Sequence, residues 1–147
     1  MINIEPHPRF TKTALLQRAA HLTLEQQSAP DDDITIVLAD DEQLRALNRG
    51  YLGIDSPTDV LSFPASESDP ETGARYLGDI LISVERAASQ AQAAGHALEA
   101  ELQLLVVHGV LHLLGHDHAE AQEKARMWAA QDDVLKRLGL SGLKIHE

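Results

Sequence analysis

A chain of 147 residues with 44% hydrophobic residues suits one domain with one core, and with aromatics at only 3% that core has to be built from Leu, Val, Ile and Ala. Cysteine is absent, which excludes disulfides and thiolate metal sites and agrees with the reducing cytoplasm where we expect the protein. With 23 acidic residues against 12 basic ones the formal net charge is -11, a balance that speaks against broad nonspecific binding to nucleic acid but not against a local site.

From the N-terminus, Ile2 to Glu5 alternate like a short strand. The opening MINIEPHPRF has no basic segment leading into an apolar run, so no signal peptide is expected. Thr11 to Gln27 is predicted helical, with Leu15, Leu16, Ala19, Ala20, His21 and Leu24 on an uneven apolar face. A loop through Ala29-Pro30 and three aspartates leads into Ile34 to Leu38, a buried strand rich in β-branched residues. Asp40 or Asp41 caps the next helix, Glu42 to about Tyr51, and Gly53 to Pro57 forms a turn. Asp59 to Phe63 is a short strand closed by Pro64, and polar Ser66 to Ala74 is an exposed loop.

Leu77 to Ser83 is a further strand, where Gly78-Asp79 marks a bulge or a close backbone approach. Ser83 caps a helix running to Ala94 and ended by Gly95. Ala97 to Leu114 is a long apolar helix ended by Gly115, and Ala119 to Leu138 an amphipathic one ended by Gly139. No apolar run reaches the ~18 residues of a membrane span. The longest, Leu102 to Leu114, is interrupted by Gln103, His108 and His112, so no membrane partner is expected. The order β α β α β β α α α has two consecutive strands in the middle. It implies an α+β domain over residues 1–147, with a mixed sheet of about four strands and helices packed on it.

Four of the eight histidines, His108, His112, His116 and His118, fall within HGVLHLLGHDH. Residues four apart share a helix face, so His108 and His112 can address one ion. A left-handed cap at Gly115 lets the chain reverse, and His118 can swing back to the same ion. Three imidazoles with an open fourth position form the donor set of a catalytic zinc, one per chain. A single histidine in an apolar helix is ordinarily a core residue with a nearby partner. Two at helical spacing, a glycine break and a third at matched offset are hard to explain by packing, because each unpartnered buried imidazole costs ~1–3 kcal/mol. His116 is the rival third ligand. His118 is preferred because Gly at +3 and His at +6 after the second helical histidine is the spacing of a metalloprotease motif, a zincin-like arrangement. Asp117 beside it is either a group that orients a ligating imidazole or a metal-bound water, or a turn residue. The protease motif fails at Gly109, where the general-base Glu should follow the first histidine.

HGVLHLLGHDH resembles the H-G-x-L-H-L-x-G-Y/H-D-H signature of the YbeY family of bacterial endoribonucleases. Two further blocks are similar: Pro57 to Pro64 to P-T-D-V-L-S-F-P, and Leu77-Gly78-Asp79-Ile80 with Ile82-Ser83 to L-G-D-I-x-I-S. Their order and spacing agree from about Ile34 to Leu138. The resemblance implies zinc on His108, His112 and His118. It also implies single-strand-specific cleavage of RNA in 16S rRNA 3′-end maturation and ribosome quality control, with ribosomal RNA and the ribosome as partners. One departure stands out. Leu52 occupies the place of the Arg in the family segment N-x-x-Y-R-G-x-D, the natural partner of a scissile phosphate. Arg49, about one helical turn earlier, is a candidate catalytic replacement for it, or else an exposed helix residue. On the strand, Thr58 and Ser62 either contact a substrate chain or belong to the sheet with Val60, Leu61 and Phe63. Two alternatives stand beside the metallo-endoribonuclease: a zinc metallopeptidase, from the histidine spacing alone, and a non-catalytic ribosome assembly factor in which zinc is structural.

Overall fold

The structure is a computed structural model that describes residues 1–53 and 58–145. Its elements are β1 (Ile2–Glu5), α1 (Thr13–Gln26), β2 (Asp33–Ala39), α2 (Asp41–Leu52), β3 (Val60–Ser68), β4 (Arg75–Ser83), α3 (Val84–Ala94), α4 (Leu98–Leu113) and α5 (Ala121–Arg137). The strands form one sheet in the order β1-β2-β4-β3. β1 and β2 pair parallel, β2 and β4 pair parallel, and β3 and β4 pair antiparallel, which is the expected mixed four-stranded α+β arrangement. No helix among the described residues is long and apolar enough to cross a membrane.

The period of two along the strands sorts the two faces. Ile34 and Ile36 of β2 and Ile80 and Ile82 of β4 are fully buried in the main core with α1, α3, α4 and α5. On the other face Leu44 of α2 packs with Ala39 and Leu61, beside Val37, Leu47, Phe63 and Leu81. α4 is the centre of the molecule, for every residue from Ala100 to Leu111 is buried. A helix apolar on all sides can sit only inside a core. It reaches the sheet because Gly109 has no side chain: a Cβ there would lie 2.9 Å from Cγ2 of Ile80. At the sheet end, Ser83 caps α3 by accepting from Arg86 N at 3.1 Å. The Arg86 guanidinium also reaches Asp41 at 3.0 Å, tying the starts of α2 and α3 together. For α2, Asp40 is the residue at the cap, its N–H donating to Gln43 Oε1 at 2.9 Å.

One expectation is corrected. Pro64 does not close the third strand, and Ser66 to Ala74 is not all loop: β3 continues to Ser68 and β4 begins at Arg75. The strand tolerates Pro64 because β3 is the sheet's edge, where a missing N–H is least costly. The register slips between Pro64 and Glu67, opposite a second slip between β2 and β4 at Asp33/Ile34, so Leu77 lies in a bulge. Gly78 next to it has φ +137°, and a Cβ there would stand 2.2 Å from the Phe63 carbonyl oxygen, the close approach expected from the sequence. Gly53 ends α2 in a left-handed conformation, while the rest of the expected turn, 54–57, lies outside the described residues.

These contacts separate two glycines. Gly78→Ala is expected to destabilise by about 2 kcal/mol or more, because neither the backbone angle nor the Phe63 carbonyl can accommodate it. Gly50→Ala, inside α2 with nothing within 4 Å of its Cβ position, is expected to stabilise by about 0.5–1 kcal/mol. Denaturant unfolding of both variants checks the pair.

Candidate metal centre

α4 ends in a hydrogen-bonded reversal. Gly115, at φ +96°, donates to the His112 carbonyl at 3.0 Å, and the next N–H, from His116, donates to the Leu111 carbonyl at 3.0 Å. This double closure is the Schellman pattern, and it turns the chain back over the last turn of the helix. His118 thereby comes to face the two helical histidines. Ring centroids are 4.6 Å apart for His108 and His112, 5.2 Å for His112 and His118, and 5.7 Å for His108 and His118. One nitrogen from each ring lies within 4.8 Å of the others, and no fourth His, Cys, Asp or Glu joins the group among the described residues.

The hydrogen bonds prepare this cluster for a cation. His108 is 5% exposed, and its Nδ1 lies 3.0 Å from Oε1 of Gln131 on α5. An amide oxygen only accepts, so the proton sits on Nδ1 and Nε2 carries a lone pair. That Nε2 is 3.1 Å from Nε2 of His112. A tetrahedral zinc with Zn–N bonds of ~2.0–2.1 Å has ligand edges of about 3.3–3.4 Å, so two of the three donors already stand near the separation the ion needs. Burial pushes the His108 imidazole down to about 4 against the opposing Gln131 contact, and His112 and His118 depress it further. His112 is lowered too, first by burial and then by His118. Both rings are therefore neutral at pH 7, the form that ligates metal. Trp128 of α5 closes one side, edge-on to His108 at 5.9 Å and to His118 at 5.5 Å.

The cluster lies at a cleft of about 330 Å³, lined among the described residues by Leu52, Val60, Leu61, Ser62, Pro64, His108, His112 and His118. Ser62 Oγ lies 3.5 Å from the Gly109 carbonyl, where it can donate weakly across to α4. His116 is not in the cleft, for its Nε2 lies 2.8 Å from Oε1 of Gln27 on the far side of the turn. Asp117 is in the turn, where its carboxylate accepts from the His118 N–H at 2.7 Å and helps fix the path of the third histidine. Arg49 is exposed on the last turn of α2 and is not among the lining residues, whereas Leu52 is. The Gly109 position faces Ile80 of the sheet, so a glutamate there has no room. Sequence reasoning passed over Gln131 and Trp128. Gln131 left a trace, being a buried polar residue in the stripe Met127, Gln131, Val134, Leu135 of α5.

A mixed sheet carries a buried helix, from which two histidines meet a third after a glycine reversal, and this defines a domain with a three-histidine group that could hold a metal ion beside an edge strand. The model of the family "Endoribonuclease YbeY" matches residues 3–139, and the chain belongs to that family. It is 43% identical over 145 residues to the Endoribonuclease YbeY of Roseiflexus sp. (strain RS-1), covering 94% of this chain and 91% of the relative. To that of Heliobacterium modesticaldum it is 44% identical over 137 residues, covering 86% and 82%. Among solved structures, a Thermotoga maritima protein determined in solution superposes with a TM-score of 0.65 at 28% identity, over 94% of this chain and 89% of that one.

Two outcomes follow from this geometry. His118→Ala is expected to lose bound metal and His116→Ala to keep it, as read by elemental analysis of the purified variants. For the metal-free protein, a folded pKa below the unfolded 6.5 means that the unfolded chain binds more protons. The stability contributed by neutral His108 is complete above pH 6.5 and is lost as pH falls towards 4. Melting curves in chelator across that window are expected to fall, and to fall less steeply in His108→Asn.

Proposed function

We propose that this protein is a zinc-dependent endoribonuclease that cleaves single-stranded RNA. We further propose that it acts in the cytoplasm on ribosomal RNA, at the 3′ end of 16S rRNA and in ribosome quality control, with zinc held by His108, His112 and His118. The observation that carries the reading is the charge of the cleft. In a protein of net charge -11, no described residue lining it is acidic. An anionic phosphodiester can thus approach the histidines without repulsion from the walls. Zinc in this donor set supplies a Lewis acid for a phosphoryl oxygen and a water of lowered pKa. The chain's own part is to hold the imidazoles neutral through burial and to aim His108 through Gln131, to shape the wall with Val60 and Pro64, and to offer the Ser62 hydroxyl to a phosphate oxygen.

The peptidase alternative is disfavoured by the Ile80 contact at Gly109, which leaves no place for the helical glutamate base. A purely structural zinc is disfavoured by the open cleft, since structural sites are closed by four protein ligands. The test compares one RNA sequence in single-stranded and duplex form, with and without chelator and with zinc restored. Cleavage confined to the metal-loaded protein and the single strand supports the proposal. Cleavage that survives chelation, or a His112→Ala variant that still sustains ribosome maturation, overturns it.

The cleft wall yields a sharper outcome. Leu52→Arg is expected to raise cleavage about ten- to a hundredfold, since a charged hydrogen bond to phosphate is worth ~1.5–3 kcal/mol. Arg49→Ala is expected to change it little, because Arg49 stands outside the lining. Turnover of both single variants and the double at two salt concentrations measures this.

A further inference from the structure

Gln131 is 1% exposed and sits in the apolar stripe of α5 that packs against α4. A polar side chain in such a position is costly unless it is satisfied. Its Oε1 is satisfied by the Nδ1–H of His108, itself 5% exposed. The contact spans 23 residues and joins two helices, so it is not a local accident of one turn. Its chemistry is specific in two ways. An oxygen acceptor forces the proton onto Nδ1 and turns the Nε2 lone pair towards Nε2 of His112, 3.1 Å away. A neutral acceptor also adds no negative charge. The acceptor behind a metal-bound histidine is often a carboxylate, which strengthens the ligand but cancels part of the ion's charge. Here the charge matters, because no described residue lining the cleft is a lysine or an arginine.

We propose that Gln131 is the positioning residue that fixes His108 for metal binding and, being neutral, keeps the ion's full charge available to a phosphodiester anion. This rests on the metal and RNA reading above. Its tests are Gln131→Met, which keeps the volume and removes the acceptor, and Gln131→Glu, which keeps the acceptor and adds a charge. Zinc affinity is measured by competition with a chromophoric chelator. Binding of dimethyl phosphate to the zinc-loaded protein is followed by phosphorus NMR, and the His108 tautomer by nitrogen NMR.

Gln131→Met is expected to weaken zinc binding about 10- to 100-fold and to release the Nδ1–H tautomer. Gln131→Glu is expected to bind zinc at least as tightly as the parent, to bind dimethyl phosphate about tenfold more weakly, and to raise KM for RNA more than it lowers kcat. A Gln131→Met protein with parental zinc affinity overturns the positioning role. A Gln131→Glu protein with parental affinity for dimethyl phosphate overturns the charge role. Should Gln131→Met not fold, Gln131→Glu decides alone: weaker zinc binding than the parent overturns the proposal. If zinc and dimethyl phosphate respond as expected while no RNA is cut by the parent, the inference holds and the nuclease reading falls.

Discussion

Helix α4 must live without a solvent face. From Ala100 to Leu111 every position is buried, pressed by the sheet on one side and by α1, α3 and α5 on the others. Two conditions make that possible. Gly109 removes the side chain that would collide with Ile80, letting the helix axis approach β4. The polar groups on the helix then need partners inside the protein: one carboxylate oxygen of Glu101 meets His96 at 2.8 Å, and His108 meets Gln131. The candidate metal centre is a consequence of this packing. Desolvation that penalises a charged imidazole leaves the neutral ring with its lone pair exposed towards the cleft, which is what a cation requires.

The acidity of the chain and an anionic substrate are reconciled by where the charges lie. Asp40, Asp41, Glu42 and Glu85 gather around the starts of α2 and α3, where the positive ends of the helices favour them. The histidine cleft is at the other end of α2, beside Leu52, and is walled by apolar and hydroxyl groups. Net charge therefore describes the solubility of this surface and says little about the field at the site.

Much of this was legible in the residues. The histidine spacing and the Gly115 break carry the site because helix periodicity and a left-handed cap are local rules, and both operate here as they do in a peptide. What was not legible depends on distant partners. His116 is drawn away by Gln27, 89 residues earlier. Pro64 is admitted to β3 only because no strand pairs outside it, a fact of sheet order rather than of sequence. Arg49 and Leu52 are three residues apart and so roughly in phase on α2, but only the later one stands far enough along the helix to line the cleft. The resemblance to a family singles out Leu52, and in the structure that residue is among those lining the cleft.

The two walls of the cleft differ in how they are held. One is α4, buried from Ala100 to Leu111, whose amides in that stretch are expected to be among the slowest to exchange with solvent. The other includes Leu52, 59% exposed at the end of α2 and carrying none of the core. A substitution in the first wall is a change to the fold. A substitution at Leu52 itself leaves folding almost untouched, because that side chain carries none of the core. The lining of this cleft can therefore be altered at Leu52 without disturbing the scaffold that aims the histidines.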